Sequence, residues 1–197
     1  MTVPKGQWKT APRRRFCLRL SQKWTTIYAS THMAETIVAD TEQAISRDQL
    51  AVLLNEDLAR EYQAIIAYVV YSQVLKGAEY MSIAQQLEEH AVQELQHAMT
   101  ISRQIDYLGK MPTVVAKTVK TSEDPREMLR FDLDNENETV RNYTERVRQC
   151  EDLGEFAMAE QIRTIIVQEQ DHQIDLATAL GEEVPAVGGS RVRSRRR

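Results

Sequence analysis

The sequence carries one pattern of acids and histidines twice, with the same internal spacing in both copies. Each copy has a Glu that is followed further along the chain by a Glu-x-x-His motif. The two copies are Glu61 with Glu94-x-x-His97, and Glu136 with Glu169-x-x-His172. The shift that takes Glu61 to Glu136 also takes Glu94 to Glu169, and it is called the repeat offset below. A chain with such a repeat is constrained to form two similar halves that bring these polar positions together.

The repeated acids lie within apolar stripes that are typical of helices. Apolar residues recur at spacings of three and four on four segments, which indicates helices with one buried face. The first stripe, for example, runs through Leu54, Glu61 and Ile65. Asp124-Pro125 is typical of a helix start, with Asp as the N-cap and Pro in the first turn. The predicted helices span residues 46–76, 79–108, 125–153 and 155–180.

Four carboxylates at predicted core positions require compensating positive charge. Burying an unpaired carboxylate costs several kcal/mol, and no Lys or Arg lies on the stripes. Two divalent cations would balance the four carboxylates, and Glu-x-x-His places two ligands on adjacent turns of one helix face. Carboxylate and imidazole ligands without thiolate suit iron or manganese. The sequence therefore predicts two divalent metal ions per chain, Fe or Mn, with Zn as an adventitious occupant. The predicted catalytic and metal-binding residues are Glu61, Glu94, His97, Glu136, Glu169 and His172.

Further polar residues lie near the predicted ligands. Asp57 and Asp132 each precede the first Glu of their copy by one turn, so we expect them to accept the second ring N–H of a ligand His. Tyr68 lies two turns past that Glu in the first copy and is interpreted as a redox-active or hydrogen-bonding catalytic neighbour, or as an ordinary packed Tyr. His90 corresponds to Ile165 in the second copy, which leaves packing or an accessory iron contact as its role.

The lengths of the connections predict the topology. Links of a few residues join the first helix to the second and the third to the fourth, so each pair forms an antiparallel hairpin. The link from Lys110 to Glu123 reaches ~45 Å when it is extended at ~3.3 Å per residue, which is about the length of a 30-residue helix. The sequence therefore predicts an all-α, antiparallel four-helix bundle with a long crossover between helices 2 and 3.

Charge is unevenly distributed along the chain. Residues 1–34 contain seven Lys or Arg and no acid, and residues 191–197 contain five Arg. The remaining residues contain 13 basic and 29 acidic side chains, so the overall charge of −4 conceals an acidic body. An acidic body favours the uptake of cations.

The predicted organisation has three parts: a basic, flexible extension over 1–45, the bundle over 46–181, and a basic tail over 182–197. The extension is compatible with a transit-type presequence, with an arm that binds nucleic acid, or with a segment upstream of a start at Met33. No apolar run is long enough to cross a bilayer, so no membrane span is predicted. The two cysteines, Cys17 and Cys150, form no disulfide framework, which favours a cytoplasmic location.

From Leu53 to Leu180 the chain resembles the ferritin-like superfamily, and within it most closely the bacterioferritins. The resemblance implies that Glu94 and Glu169 bridge two irons. It also implies ferroxidase activity, in which O2 or H2O2 oxidises Fe(II) for iron storage or detoxification. The implied assembly is a homo-oligomer, at least a dimer and at most a cage. The remaining ligands implied by the resemblance are Glu61 with His97 and Glu136 with His172.

Three positions depart from relatives of this superfamily. Leu95 stands where bacterioferritins have the Met that binds haem, so no haem is expected. A short segment with an Arg cluster follows Gly181, where bacterioferritins have a short fifth helix that helps to close the shell. Thr139 stands where rubrerythrin-type peroxidases carry an additional Glu. Alternatives to a ferroxidase are an oxygenase, a peroxidase, a manganese catalase, or a Dps-like protein that coats DNA through its basic tails.

Overall fold

The computed structural model of the chain describes residues 45–184. Within this range it has four α-helices and no strand, which confirms the all-α prediction. The helix bounds differ from the predicted bounds by at most two residues. The predicted extension up to residue 44 and the Arg cluster at 191–197 lie outside the described residues. The helices are α1 (Arg47–Val74), α2 (Met81–Tyr107), α3 (Pro125–Asp152) and α4 (Phe156–Leu180), with a 3-10 turn at Ala78–Tyr80 before α2.

Local sequence signals fix three of the helix ends. At the start of α1, the Ser46 hydroxyl accepts from the Gln49 backbone N–H, and the Gln49 side chain accepts from the Ser46 N–H at 2.7 Å. This reciprocal capping box satisfies two backbone donors that the helix itself cannot satisfy. At the start of α3, Asp124 is the N-cap and Pro125 occupies the first turn, as predicted. Gly181 ends α4 with a φ of 73°, a left-handed conformation that favours glycine.

The four helices form two antiparallel hairpins that pack on each other through the pairs α1 with α3 and α2 with α4. The crossover between the hairpins runs along α1, which agrees with the predicted long connection. Its first part is held where Thr113 N–H donates to the Asn55 side chain at 2.6 Å, and its last part where the Tyr71 hydroxyl donates to the Lys120 carbonyl. The second hairpin is therefore returned to the far end of α1, which places α3 antiparallel to it.

The core consists of two apolar clusters with a polar layer between them. On α1, Leu58 belongs to one cluster and Ala67 to the other, and Glu61 lies between them. The same order, apolar then polar then apolar, holds on the other three helices. The metal-ligand candidates are thus enclosed by hydrocarbon above and below. Within residues 45–184, no helix is long and apolar enough to cross a membrane.

Candidate metal centre

The six predicted ligands meet in the polar layer at the middle of the bundle. Their side chains come from all four helices, and each residue has 2% or less of its surface exposed. They form two overlapping groups, and within each group the ligand atoms lie within 4.8 Å of one another. Glu94 and Glu169 belong to both groups. The first group is Glu61, Glu94, His97 and Glu169, and the second is Glu94, Glu136, Glu169 and His172.

Both histidines turn the same ring nitrogen towards the carboxylates. His97 Nδ1 lies 3.1 Å from Glu169 and 3.3 Å from Glu94. His172 Nδ1 lies 3.0 Å from Glu94 and 3.3 Å from Glu169. With the other ring nitrogen protonated, Nδ1 would offer its lone pair to a metal ion, as ligand histidines do.

Glutamine side chains, and not the predicted aspartates, fix this orientation of the histidines. His97 Nε2 lies 2.8 Å from Gln168 Oε1, and His172 Nε2 lies 2.6 Å from Gln93 Oε1. An amide oxygen can only accept, so each imidazole donates from Nε2 to its glutamine. The expectation that Asp57 and Asp132 fill this role is therefore wrong. Each glutamine directly precedes the Glu of one Glu-x-x-His motif and contacts the histidine of the other motif.

Asp57 instead forms a buried ion pair with Arg146 of α3. Arg146 Nε donates to Asp57 Oδ2 at 2.7 Å, and the side chains are 8% and 2% exposed. Burial raises the pKa of Asp57 to about 6, while the Arg146 charge and hydrogen bond act in the opposite direction. The core thus contains a cation that the apolar stripes did not indicate. Because it pairs with Asp57, it leaves the four ligand carboxylates without an Arg or Lys partner among the described residues.

Asp132, the counterpart of Asp57 in the second half, is not paired in this way. The position equivalent to Arg146 is Tyr71, whose hydroxyl donates to the crossover. Asp132 Oδ2 is buried and has no hydrogen bond to the described residues. Burial raises the pKa of Asp132 well above its usual range, which favours the neutral acid at this position. The surroundings of Asp57 and Asp132 therefore differ in charge, although the ligand sets of the two halves match.

Two tyrosines donate hydrogen bonds to the two carboxylates that the ligand groups do not share. Tyr68 of α1 donates to Glu136, and Tyr143 of α3 donates to Glu61. Both tyrosines are buried, and burial followed by the nearby acid charges raises the pKa of each phenol well above its usual range. They therefore stay protonated and act as donors. The repeat offset takes Tyr68 to Tyr143, so the repeat itself relates the two contacts.

His90 packs beside the centre without joining either ligand group. Its ring centroid lies 4.0 Å from that of His172 and 5.4 Å from that of Tyr68. Its Nε2 lies 3.1 Å from Asp175, whose side chain reaches the surface between α2 and α4. Burial, and then the neighbouring His172, lower the pKa of His90 to about 3. His90 is thus a neutral ring that supports the His172 imidazole, in line with the packing interpretation.

The pKa shifts of the ligand carboxylates indicate which of them bind a proton when metal is absent. Burial, and then the charge of Glu169, raise the pKa of Glu94 and of Glu136 well above the usual range. Burial also acts on Glu169, but the His172 and His97 imidazoles beside it outweigh burial and lower its pKa. When metal is absent, bound protons therefore compensate part of the negative charge of the carboxylates.

Buried ligand atoms without a hydrogen bond to the described residues provide a test of fit for a metal. Such atoms occur on all four ligand carboxylates and on one of the two imidazoles. Unsatisfied buried acceptors are costly unless a cation completes them. Oxygen and imidazole nitrogen without thiolate fit two ions of iron or manganese. The atoms are Glu61 Oε2, Glu94 Oε1, Glu136 Oε2, Glu169 Oε1 and Oε2, and His172 Nδ1.

Two kinds of supporting contact follow the same repeat as the ligands, and this is a signal that the sequence offers for them. The repeat offset relates Gln93 to Gln168, and it relates Tyr68 to Tyr143. Each pair makes equivalent contacts in the two halves. Arg146 carries no such signal, since its counterpart is a tyrosine.

Comparisons with known proteins agree with this geometry. A family model described as a ferritin-like domain matches residues 51–184. The bacterioferritin of Brucella melitensis biotype 1 is 24% identical over 137 residues, which are 66% of this chain and 85% of that protein. The matched residues lie on all four helices and include every ligand candidate.

Solved structures give the same result. A ferritin-like, diiron-carboxylate protein from Bacillus anthracis has 32% sequence identity and a TM-score of 0.66, and the match covers 69% of this chain and 99% of that chain. Rhodobacter capsulatus bacterioferritin, solved with haem iron and a metal-free dinuclear site, has 25% identity and a TM-score of 0.62. That match covers 68% of this chain and 84% of the bacterioferritin.

Proposed function

We propose that this chain, which belongs to the ferritin-like family and is similar to bacterioferritins, is a ferroxidase. It would bind two Fe(II) ions per chain as substrate and oxidise them to Fe(III) for storage or detoxification. The observation that supports this most strongly is the pair of overlapping ligand groups that share Glu94 and Glu169. Two carboxylates common to both groups would bridge two ions held side by side.

The proposed ligand roles follow from which side chains the groups share. Glu94 and Glu169 would each bind both ions. Glu61 with His97 would complete one position, and Glu136 with His172 would complete the other. Four carboxylates balance the charge of two divalent ions, so neither ion needs a further anion from the protein.

The iron supplies the electrons of the reaction. Two Fe(II) ions lose one electron each, and one H2O2 takes both electrons with two protons to give two water molecules. With O2 as the oxidant, the same two electrons and two protons give H2O2. Each turnover is therefore balanced without another reductant.

The protein positions the ligands and limits the access of water. Tyr68 and Tyr143 hold Glu136 and Glu61 by one oxygen each, which leaves the second oxygen for metal. Gln93 and Gln168 keep both Nδ1 lone pairs directed at the centre. The apolar clusters on either side exclude bulk water, which strengthens the electrostatic attraction for Fe(II).

The test is aerobic titration of the metal-free protein with Fe(II), followed by near-ultraviolet absorbance. We expect a break at about two Fe(II) per chain, because two ligand groups are present. Glu94→Ala should lower the initial oxidation rate by about 100-fold or more, since it removes a ligand of both ions. Glu89→Ala, an exposed acid on the same helix, is the matched control and should behave as wild type. Rapid oxidation that survives Glu94→Ala would remove the ferroxidase proposal.

A manganese catalase is the second candidate, because the same carboxylate and imidazole donors also suit Mn(II). Release of O2 from H2O2 that is restored by Mn(II) and not by Fe(II) would favour it over a ferroxidase. An oxygenase would instead consume an organic substrate, and a peroxidase would consume an electron donor other than Fe(II). The Dps-like alternative depends on the basic ends, which lie outside the described residues.

Storage, in contrast to oxidation alone, requires an enclosed volume and hence a closed oligomer. We expect at least a homodimer, formed through the outer face of α1 and α2, where Val52, Val92, Leu95 and Met99 are exposed apolar residues. Native mass measurement before and after iron loading is the test. A large particle that gains mass with iron would support storage, whereas a dimer of constant mass would limit the function to ferroxidation.

Haem is a further point on which this chain is expected to differ from a similar protein. Leu95 directly follows Glu94, is 48% exposed, and has no sulfur to bind haem iron. Protein purified from haem-replete cells should therefore lack a bis-thioether haem spectrum. Leu95→Met supplies the sulfur at the same position and is the matched variant. A stoichiometric haem of this type in the wild type would contradict the prediction and direct attention to Met99 or Met81.

A further inference from the structure

A small cavity between α1 and α3 leads to the metal centre. Its inner wall is formed by the four ligand carboxylates, and half-buried residues towards the surface form most of its outer wall. Its volume is about 10 Å³, which is close to the space of a single water molecule. A hydrated divalent cation is larger than this and has to displace the outer wall to pass. The outer wall consists of Arg60, Gln63, Ala64, Asn135 and Thr139.

The residues in and beside the outer wall differ between the two copies of the repeat, whereas the ligands are the same in both. The repeat offset relates Arg60 to Asn135 and Gln63 to Glu138. Arg60 of α1 donates to Glu138 of α3, so an ion pair joins the two hairpins on one side of the cavity. The repeat takes this pair to Asn135 and Gln63, which are neutral. One side of the cavity is therefore charged, although the two ligand sets behind it are alike.

The positive member of this ion pair lies closer to the cavity than the negative one. Arg60 lines the cavity and its side chain is 16% exposed, whereas Glu138 does not line it and is 45% exposed. The Arg60 Nε atom is also buried without a hydrogen bond to the described residues. A cation that approaches through this cavity thus meets a poorly solvated positive charge before it reaches the ligand carboxylates.

We infer that Arg60 determines which species pass through this cavity. Its charge, positioned by Glu138, slows the entry of hydrated divalent cations and leaves the path open to a small uncharged oxidant. The inference rests on the proposed function, since it assigns separate access for the two substrates of the same centre. Binding of a metal that the protein does not oxidise tests the gate separately from the ferroxidase activity.

The experiment is stopped-flow binding of Co(II) to the metal-free protein, followed by visible absorption. Arg60→Asn, Glu138→Gln and the double variant are compared with wild type. The double variant gives these two positions the neutral side chains of the repeat-related pair, Asn135 and Gln63. We expect about tenfold faster binding in Arg60→Asn, the scale of Coulomb repulsion between a divalent ion and a unit charge a few ångströms away in water. The double variant should be faster than wild type, and Glu138→Gln slower, because it leaves the Arg60 charge uncompensated.

Arg60→Lys keeps the charge and should bind Co(II) at the wild-type rate. High salt should narrow the spread between the variants. All variants should still bind the same total amount of Co(II), since the ligands are intact. In protein that is already loaded with Fe(II), oxidation by H2O2 should proceed at the same rate in wild type and double variant, because H2O2 is uncharged.

Three results would overturn the inference. The first is equal Co(II) binding rates in wild type and Arg60→Asn. The second is faster binding in Glu138→Gln than in wild type, which would indicate a steric closure by the pair and no charge barrier. The third is an equal acceleration of H2O2 oxidation in loaded protein. A pair with only a structural role would lower the melting temperature of the variants without this order of rates.

Discussion

Arg146→Met is expected to lower the free energy of unfolding of the metal-free protein by about 3–5 kcal/mol. The substitution leaves the Asp57 carboxyl, which is 2% exposed, without the guanidinium that pairs with it at 2.7 Å. An unpaired buried carboxylate is costly, and its protonated form still loses a strong hydrogen bond. Urea denaturation in the presence of EDTA, with linear extrapolation, measures the change.

Two further variants make this prediction specific. Asp57→Asn combined with Arg146→Met removes both charges and should recover a large part of the lost stability. Arg148→Met, on the same helix with a 68% exposed side chain, is the matched control and should change stability by less than about 1 kcal/mol. A double variant no more stable than Arg146→Met would contradict the ion-pair explanation.

Metal binding is expected to weaken strongly as the pH falls. Burial raises the pKa of Glu94 and Glu136, and the charge of Glu169 adds to this effect. Burial alone would lower the pKa of His97 and His172, but the ligand acids beside them outweigh burial and raise both pKa values. At pH 7 the metal-free centre therefore holds protons that have to leave when metal binds.

The size of the effect follows from the proton count. The pKa is raised at four groups, so binding of two divalent ions releases at most four protons, or two for each ion. The dissociation constant for Co(II) or Zn(II) should then rise between pH 7 and pH 6, by up to about 100-fold for each ion. Above the raised pKa values the dependence should level off, because no protons remain to be displaced.

Proton release can be measured directly with a pH indicator in weakly buffered solution during Zn(II) addition. Glu89→Ala should release the same number of protons as wild type, since Glu89 is exposed and lies outside the ligand groups. Release of less than one proton per pair of ions, with equal affinity at pH 6 and pH 7, would show that the metal-free carboxylates are already ionised.

The sequence was sufficient for the helices, their order and the convergence of the ligands. The reason is physical: apolar spacing of three and four defines a buried face within each helix, and short links define the hairpins. The contacts between α1 and α3 are not predictable in the same way. Asp57 contacts Arg146 because of the axial register of two helices that are distant in sequence, and this register depends on their packing.

The hydrogen-bond partners of the histidines show a related limit. Gln93 and Gln168 are half-buried amides, and a single amide on a helix carries no distinctive spacing. The sequence favours Asp57 and Asp132 because carboxylates are common partners of ligand histidines. The side chains that reach the imidazoles come instead from the opposite Glu-x-x-His helix, since α2 and α4 pack directly on each other.

The two ligand groups also bear on how the hairpins hold together. The first group takes Glu61, Glu94 and His97 from the first hairpin but Glu169 from the second, and the second group borrows Glu94 in return. Each bound ion would therefore cross-link the two hairpins, which only the crossover connects covalently. Loading would tighten the bundle and unloading would loosen it at the same place. The packing of the two hairpins and the amount of bound metal would thus be coupled, so that the bundle would be more rigid with metal than without it.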